Sequence, residues 1–314
     1  MDRKSRNRLI VVALAVLLQL AGPIPGFSGG EEDNGQGPLS VFVSILPQAF
    51  FVERIAGQRV RVEVMVKPGQ DPHTFEPTPK QMARLAEADV FFRIGVEFEN
   101  TLMPRIESTM KGLTVVDCRE GIRLRQMDAH EHDADEQEAE EYADEGHLGG
   151  EQEGTDPHVW LSVRNAIRIA ATIHEALVRL DPEGRDIYDR GYGQLVEELE
   201  ALDRRIAEIL APVKGEPFFV FHPSFGYFAD EYGLEQIAVE TGGAEPSARQ
   251  LARLIEEAGS SDVRVIFVQP QFSHKSAGTI AAEIGAAVVP IDPLARDYIE
   301  NLEKMARAVE EGLR

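Results

Sequence analysis

The chain has 314 residues, 43% hydrophobic and 27% charged, enough apolar material for one large or two ordinary folded domains. Its 54 acids against 32 bases give a net charge of −22, which repels nucleic acid and anionic membranes and tolerates a cationic ligand. A single cysteine, Cys118, excludes an intramolecular disulfide and any cysteine-built zinc or iron–sulfur centre.

Arg3, Lys4, Arg6 and Arg8 precede an apolar run from Leu9 to Ala21 broken only by Gln19. That run is shorter than the ~20 residues a membrane helix needs. A basic head, a short apolar run and small residues at Gly26 and Ser28 predict a signal peptide over 1–28, cleaved after Ser28. An uncleaved anchor is the alternative. No cysteine follows the run, so no lipid anchor is expected. Loss of 1–28 leaves 53 acids against 28 bases, a net charge of −25. The protein is expected to work outside the cytoplasm. Residues 29–38, rich in glycine and acid, read as a solvated leader.

Beyond the leader, strand-like runs alternate with helical patterns. Strands are predicted at Val41–Leu46, Val60–Val66, Val90–Ile94 and Thr114–Val116. Helices are predicted at Ala49–Ala56, Lys80–Ala88 and Leu102–Met110. Such alternation argues for βαβ units and a parallel sheet. Val163, Ala166, Ile167, Ala170, Ile173, Leu177 and Leu180 then recur at helical spacing. Asp181-Pro182 restarts a helix, aspartate capping and proline leading, that runs to about Leu210. Its length, ~43 Å at ~1.5 Å per residue, suits a rigid connector.

The alternation then resumes. Strands are expected at Phe218–Phe221, Gln236–Val239, Val263–Val268 and Ala287–Ile291, and helices at Phe225–Tyr232, Ser247–Ala258, Gly278–Ile284 and Arg296–Leu313. The expected fold is α/β: two lobes, each a parallel four-stranded sheet flanked by helices, joined by one long rigid helix. The lobes are assigned to 29–180 and 213–314, and the linking helix to 181–212.

Residues 126–153 break the pattern. Twelve of these 28 are acidic, none is Lys or Arg, and His130, His132 and His147 lie among them. No core can be built from this composition, so a flexible acidic loop is expected. It is either a solvated charge run or a weak accessory metal collector.

Three histidines and an aspartate share a setting beside proline. His73 and His158 close Asp71-Pro72-His73 and Asp156-Pro157-His158; His222 ends a predicted strand before Pro223; Asp292 ends another before Pro293. Ligands of open α/β sheets lie beyond the carboxyl ends of the strands. Four groups delivered there from two lobes would surround one small ligand. Three neutral imidazoles and a carboxylate make a tetrahedral set suited to Zn²⁺, although imidazole also suits Cu, Ni and Fe. Asp71 and Asp156 are candidates to orient their histidines. His174 reads as structural, Trp160 as packing and Cys118 as a small buried hydrophobe.

Across 39–313 the chain resembles the metal-specific solute-binding proteins of bacterial metal-uptake ABC transporters, of TroA-like fold, in their zinc branch. The resemblance rests on Gly69-Gln70-Asp71-Pro72-His73-Thr74-Phe75-Glu76-Pro77, Asp156-Pro157-His158-Val159-Trp160-Leu161, Phe221-His222-Pro223-Ser224-Phe225, Glu245-Pro246-Ser247 and Asp292-Pro293-Leu294. It implies two lobes, a linking helix and one metal between them, held by His73, His158, His222 and Asp292. Manganese and iron relatives usually carry a carboxylate where His222 stands, so His222 favours zinc. The acidic, histidine-bearing loop is also a zinc-branch feature. Some zinc relatives carry a second-lobe disulfide, which one cysteine cannot form. The implied activity is capture of Zn²⁺ and delivery to an inner-membrane ABC permease by a monomer, with no covalent chemistry. The rivals are a manganese or iron carrier of the same family, a zinc hydrolase, and a secreted adhesion or scaffold protein with a structural metal. No His-Glu-x-x-His motif or Gly-x-Ser-x-Gly elbow supports the hydrolase.

Overall fold

The computed structural model describes residues 37–127, 154–240, 263–272 and 274–314, together with positions 249, 252, 255 and 256. The first sheet comprises β1 (Leu39–Val43), β2 (Val60–Val64), β3 (Val90–Arg93) and β4 (Thr114–Asp117). All pairings are parallel, in the order β2-β1-β3-β4. Central β3 is almost wholly apolar and buried, whereas edge strand β2 alternates valine with Arg61 and Glu63. That contrast is what a parallel sheet covered on both faces requires of its centre and edge. The second sheet repeats the order as β6-β5-β7-β8, with β5 (Pro217–Val220), β6 (Glu235–Ala238), β7 (Val265–Val268) and β8 (Ala287–Pro290).

Helices α1 (Leu46–Ala56), α2 (Pro79–Leu85) and α3 (Phe98–Thr109) connect the first sheet. Helix α1 begins three residues earlier than the pattern suggested. Pro47 sits in its first turn, where a missing N–H is harmless, so the proline that ends the strand run also opens the helix. The Gln48 side-chain oxygen accepts from the Ser44 and Ile45 amides there. Thr78 caps α2, and Gln81 reaches back to the Thr78 amide.

Helix α4 (Val163–Leu180) matches its predicted stripe, and the Ser162 hydroxyl accepts from the Asn165 amide at its start. Asp181 caps as expected, but onto a 3₁₀ turn over Pro182–Gly184, and helix α5 (Arg185–Leu210) begins only after it. The Asp181 carboxylate also binds the Arg59 guanidinium through two bonds and the Tyr188 hydroxyl. Its 26 residues give α5 a length of ~39 Å.

Helix α5 packs against α1, α4 and α8 (Tyr298–Leu313). Gly191 makes the α1 contact possible: a Cβ there would stand 2.4 Å from the Ile55 carbonyl oxygen. One hydrophobic cluster runs from Phe42, Phe91 and Val116 through Leu195, Leu199 and Leu202 to Phe218, Phe267 and Leu302. The two sheets therefore share a core through α5, which opposes independent motion of the lobes. A second cluster, with Phe219, Ile266 and Val268, covers the other face of the second sheet beneath α7 (His274–Ile284). The remaining helix is α6 (Gly226–Tyr232). The helix expected at Ser247–Ala258 lies almost wholly outside the described residues. Among those residues, no helix is long and apolar enough to cross a membrane.

Candidate metal centre

The site forms where the strand ends of both sheets face each other. His73 follows β2, Glu97 follows β3, His222 follows β5, Glu240 follows β6, Gln271 follows β7 and Asp292 follows β8. In both sheets chain order reverses between the two central strands, which opens a crevice at their carboxyl ends. One ring nitrogen of each of His73, His158 and His222 lies within 4.8 Å of the others.

The Nδ1 of each ring faces a carboxylate. His158 Nδ1 lies 2.8 Å from Asp156 Oδ1, which also accepts from the His158 amide at 2.9 Å. Asp156 is in turn held by Arg125 Nη1 at 3.1 Å, and the Tyr227 hydroxyl donates to its carbonyl at 3.2 Å. Arg125 also pairs with Asp230 on α6, tying the Asp-Pro-His turn to the second lobe. Gly226 leaves room for this arginine, since a Cβ there would fall 1.5 Å from Arg125 Nη1. His222 Nδ1 stands 3.3 Å from Glu240 Oε2, and its ring stacks on Phe272 with centroids 4.6 Å apart. Gln269 clamps its main chain, donating to the His222 carbonyl at 2.7 Å. His73 Nδ1 lies 3.3 Å from Glu97 Oε1.

With Nδ1 engaged in all three, Nε2 is the nitrogen left for a metal. His222 Nε2 is buried and has no partner among the described residues, a position that calls for a ligand. A tetrahedral Zn²⁺ with Zn–N ~2.0–2.1 Å would set its nitrogens ~3.4 Å apart, within reach of shifts of about 1 Å. The cavity they line, with Trp160, Gln271 and Phe272, holds about 20 Å³, room for one ion or water.

Burial and neighbouring carboxylates act on the rings in opposite senses. Burial drives the His158 pKa down to about 4 against the pull of Asp156, so this ring is neutral at physiological pH. Burial also disfavours charge on His73, but the Glu97 carboxylate, with the charges of Asp71 and Glu240, outweighs it and raises that pKa. Contact with His73 holds the Glu97 carboxyl below its usual range.

Asp156 orients its histidine as the sequence suggested. Asp71 instead closes a turn, accepting from the His73 amide at 3.0 Å, and Glu97 takes the ring. Asp292 lies outside the three-histidine group. It lines an adjoining cavity of about 250 Å³, and its Oδ1 accepts from Gln271 Nε2 and the Leu294 amide, both at 3.0 Å. His130, His132 and His147 fall outside the described residues. Trp160 packs as expected and also links the lobes: its Nε1 donates to the Pro293 carbonyl at 2.8 Å, while its own carbonyl accepts from the Tyr298 hydroxyl at 2.5 Å. His174 pairs with Asp189 at 2.6 Å and stacks on Tyr192, a contact between α4 and α5. Buried Cys118 has its thiol pKa pushed up by desolvation.

Glu97, Glu240, Gln269 and Gln271 carry no motif. Their one legible signal is position, just beyond β3, β6 and β7.

Three imidazoles oriented by carboxylates, in an ion-sized cavity between two parallel-sheet lobes, define a metal-binding solute receptor. The family described as "ZnuA: Zinc-uptake complex component A periplasmic" matches residues 41–312, and the chain belongs to that family. It is 30% identical over 295 residues to the Bacillus subtilis "High-affinity zinc uptake system protein ZnuA", covering 93% of this chain and 89% of that protein. It is 28% identical over 293 residues to the Streptococcus pneumoniae "Zinc-binding lipoprotein AdcA". That match covers 89% of this chain but 57% of the relative, so the chain spans little more than half of that protein's length. Among solved structures, the "Crystal structure of ZnuA" superposes with a TM-score of 0.78 at 38% identity, covering 88% of this chain and all of that one.

Proposed function

We propose that this protein captures one Zn²⁺ between its lobes and delivers it to an inner-membrane ABC permease for import, without covalent chemistry. The proposed ligands are Nε2 of His73, His158 and His222, with Asp292 as the carboxylate that completes the set. One observation carries the reading: three rings whose Nδ1 atoms face carboxylates, leaving their Nε2 atoms for the cavity. A carboxylate behind an imidazole fixes its tautomer and raises its basicity toward metal. A nitrogen-rich, four-ligand set favours zinc over manganese, which prefers oxygen. With Asp292 as the fourth ligand the set would be closed, which disfavours hydrolysis, since catalytic zinc keeps a position open for water. The lobes are joined by Trp160–Pro293, Tyr298–Trp160 and Arg125–Asp230 contacts that need no metal, which speaks against a purely structural ion.

Export by a signal peptide over 1–28, cleaved after Ser28, and action in the periplasm as a monomer without a lipid anchor belong to the same proposal. So do lobes over 29–180 and 213–314 joined by the linker 181–212, and an accessory collecting role for His130, His132 and His147. The test is growth. Source cells lacking the protein should fail in chelator-treated medium and be rescued by added Zn²⁺. Rescue by Mn²⁺ alone would contradict the proposal.

A further inference from the structure

Gln271 forms part of the wall of two cavities at once, the histidine-lined one and the 250 Å³ one that holds Asp292. Its amide orientation follows from its neighbour. Asp292 Oδ1 can only accept, so the Gln271 atom 3.0 Å away is the donor Nε2. That choice leaves Gln271 Oε1 buried without a partner among the described residues. The Leu294 amide also donates to Oδ1 at 3.0 Å. A carboxylate oxygen offers about two lone-pair positions, so these two donors saturate Oδ1. The Asp292 main chain is pinned as well, because Asn301 Nδ2 donates to its carbonyl at 2.7 Å.

We infer that Gln271 is a specificity-determining positioning residue: with Asp292 as the fourth ligand proposed above, it saturates Oδ1 and leaves that carboxylate one oxygen, Oδ2, for the metal. The inference rests on the zinc-carrier reading above. Three imidazole nitrogens and one oxygen make a four-coordinate sphere, which suits Zn²⁺. A carboxylate free to bind through both oxygens adds a ligand and suits larger ions that take higher coordination and more oxygen, such as Mn²⁺. Selection against Mn²⁺ thus depends on an amide that need not touch the metal.

The test is Gln271→Met, which keeps the volume and removes the donor, in the parent chain and with Asp292→Asn. Zn²⁺ and Mn²⁺ affinities are measured by competition, and the coordination number of bound zinc by X-ray absorption. Gln271→Met should narrow the Zn²⁺/Mn²⁺ affinity ratio by about tenfold or more and raise the coordination number from four to five. The effect should vanish beside Asp292→Asn, because the amide acts through that carboxylate. If Gln271→Met disrupts folding by circular dichroism, Gln271→Asn, too short to reach Oδ1, replaces it. An unchanged ratio with four-coordinate zinc, or an effect that survives Asp292→Asn, overturns the inference alone. Failure of the unmutated protein to bind Zn²⁺ overturns the carrier reading and this inference with it.

Discussion

His222→Ala separates metal binding from folding more cleanly than any other substitution at the site. Zinc sites of four protein ligands bind with ~10–16 kcal/mol, or ~2.5–4 kcal/mol per ligand, so loss of one imidazole should weaken Zn²⁺ binding ~10²–10³-fold. The effect on the fold is smaller because two changes oppose. The variant loses the ring stacked on Phe272 and leaves Glu240 without its Nδ1 contact. It also removes His222 Nε2, a buried nitrogen whose lack of a partner itself costs ~1–3 kcal/mol. Net destabilisation should stay within ~2 kcal/mol. Zinc at 100 times the parent's Kd stabilises the parent by ~2.7 kcal/mol, but a variant binding 10²-fold more weakly by only ~0.4 kcal/mol. Chelator competition gives the affinity, and urea titrations with and without zinc give the linked stability. A natively folded variant whose affinity falls less than tenfold would remove His222 from the ligand set.

Two further outcomes follow from groups around the site. Asp156→Asn takes the carboxylate from His158 Nδ1 and a charge partner from Arg125, and should weaken Zn²⁺ binding ~10–100-fold in the same competition assay; parental affinity would contradict the orienting role. Glu231, on α6, is buried beside Asp203 and accepts from Ser162 and the Arg164 amide; burial is the main cause that pushes its pKa up to about 7. A raised carboxyl pKa favours the folded state below the unfolded value of ~4.5, and that contribution, about 3 kcal/mol at most, is lost as pH rises through ~7. Glu231→Gln should therefore stabilise the protein by ~1–3 kcal/mol at pH 8 and change it little at pH 4.5, read from urea midpoints; an unaltered pH slope would refute this.

The architecture was legible because its signals are local. Proline and glycine punctuation and apolar periodicity located the strands, and the stripe of Val163, Ala166, Ala170 and Leu177 located α4. Boundaries slipped where one residue serves two elements, as Pro47 does between β1 and α1. Asp181 caps as its Asp-Pro setting predicts, but onto a 3₁₀ turn, and its carboxylate also holds Arg59 and Tyr188, partners from other parts of the chain that no local pattern encodes. At the site the histidines stood out through their proline-flanked turns. The groups that orient them did not. Glu97 and Glu240 meet His73 and His222 only because four separate strands end at one crevice, and no spacing encodes that meeting. Asp71 and Asp156 share one motif yet act differently, since Arg125 and Tyr227 buttress Asp156 alone, while Glu97 reaches His73 first.

Zinc selectivity is tested most directly by stripping the protein with chelator and titrating it with Zn²⁺ and Mn²⁺ by calorimetry, while circular dichroism follows the fold. One tight Zn²⁺ site on an already folded chain, with Mn²⁺ far weaker, is the expected result. Tight Mn²⁺ binding would contradict the nitrogen-rich centre, and a stripped chain that unfolds would contradict a carrier whose lobes are joined by their own contacts.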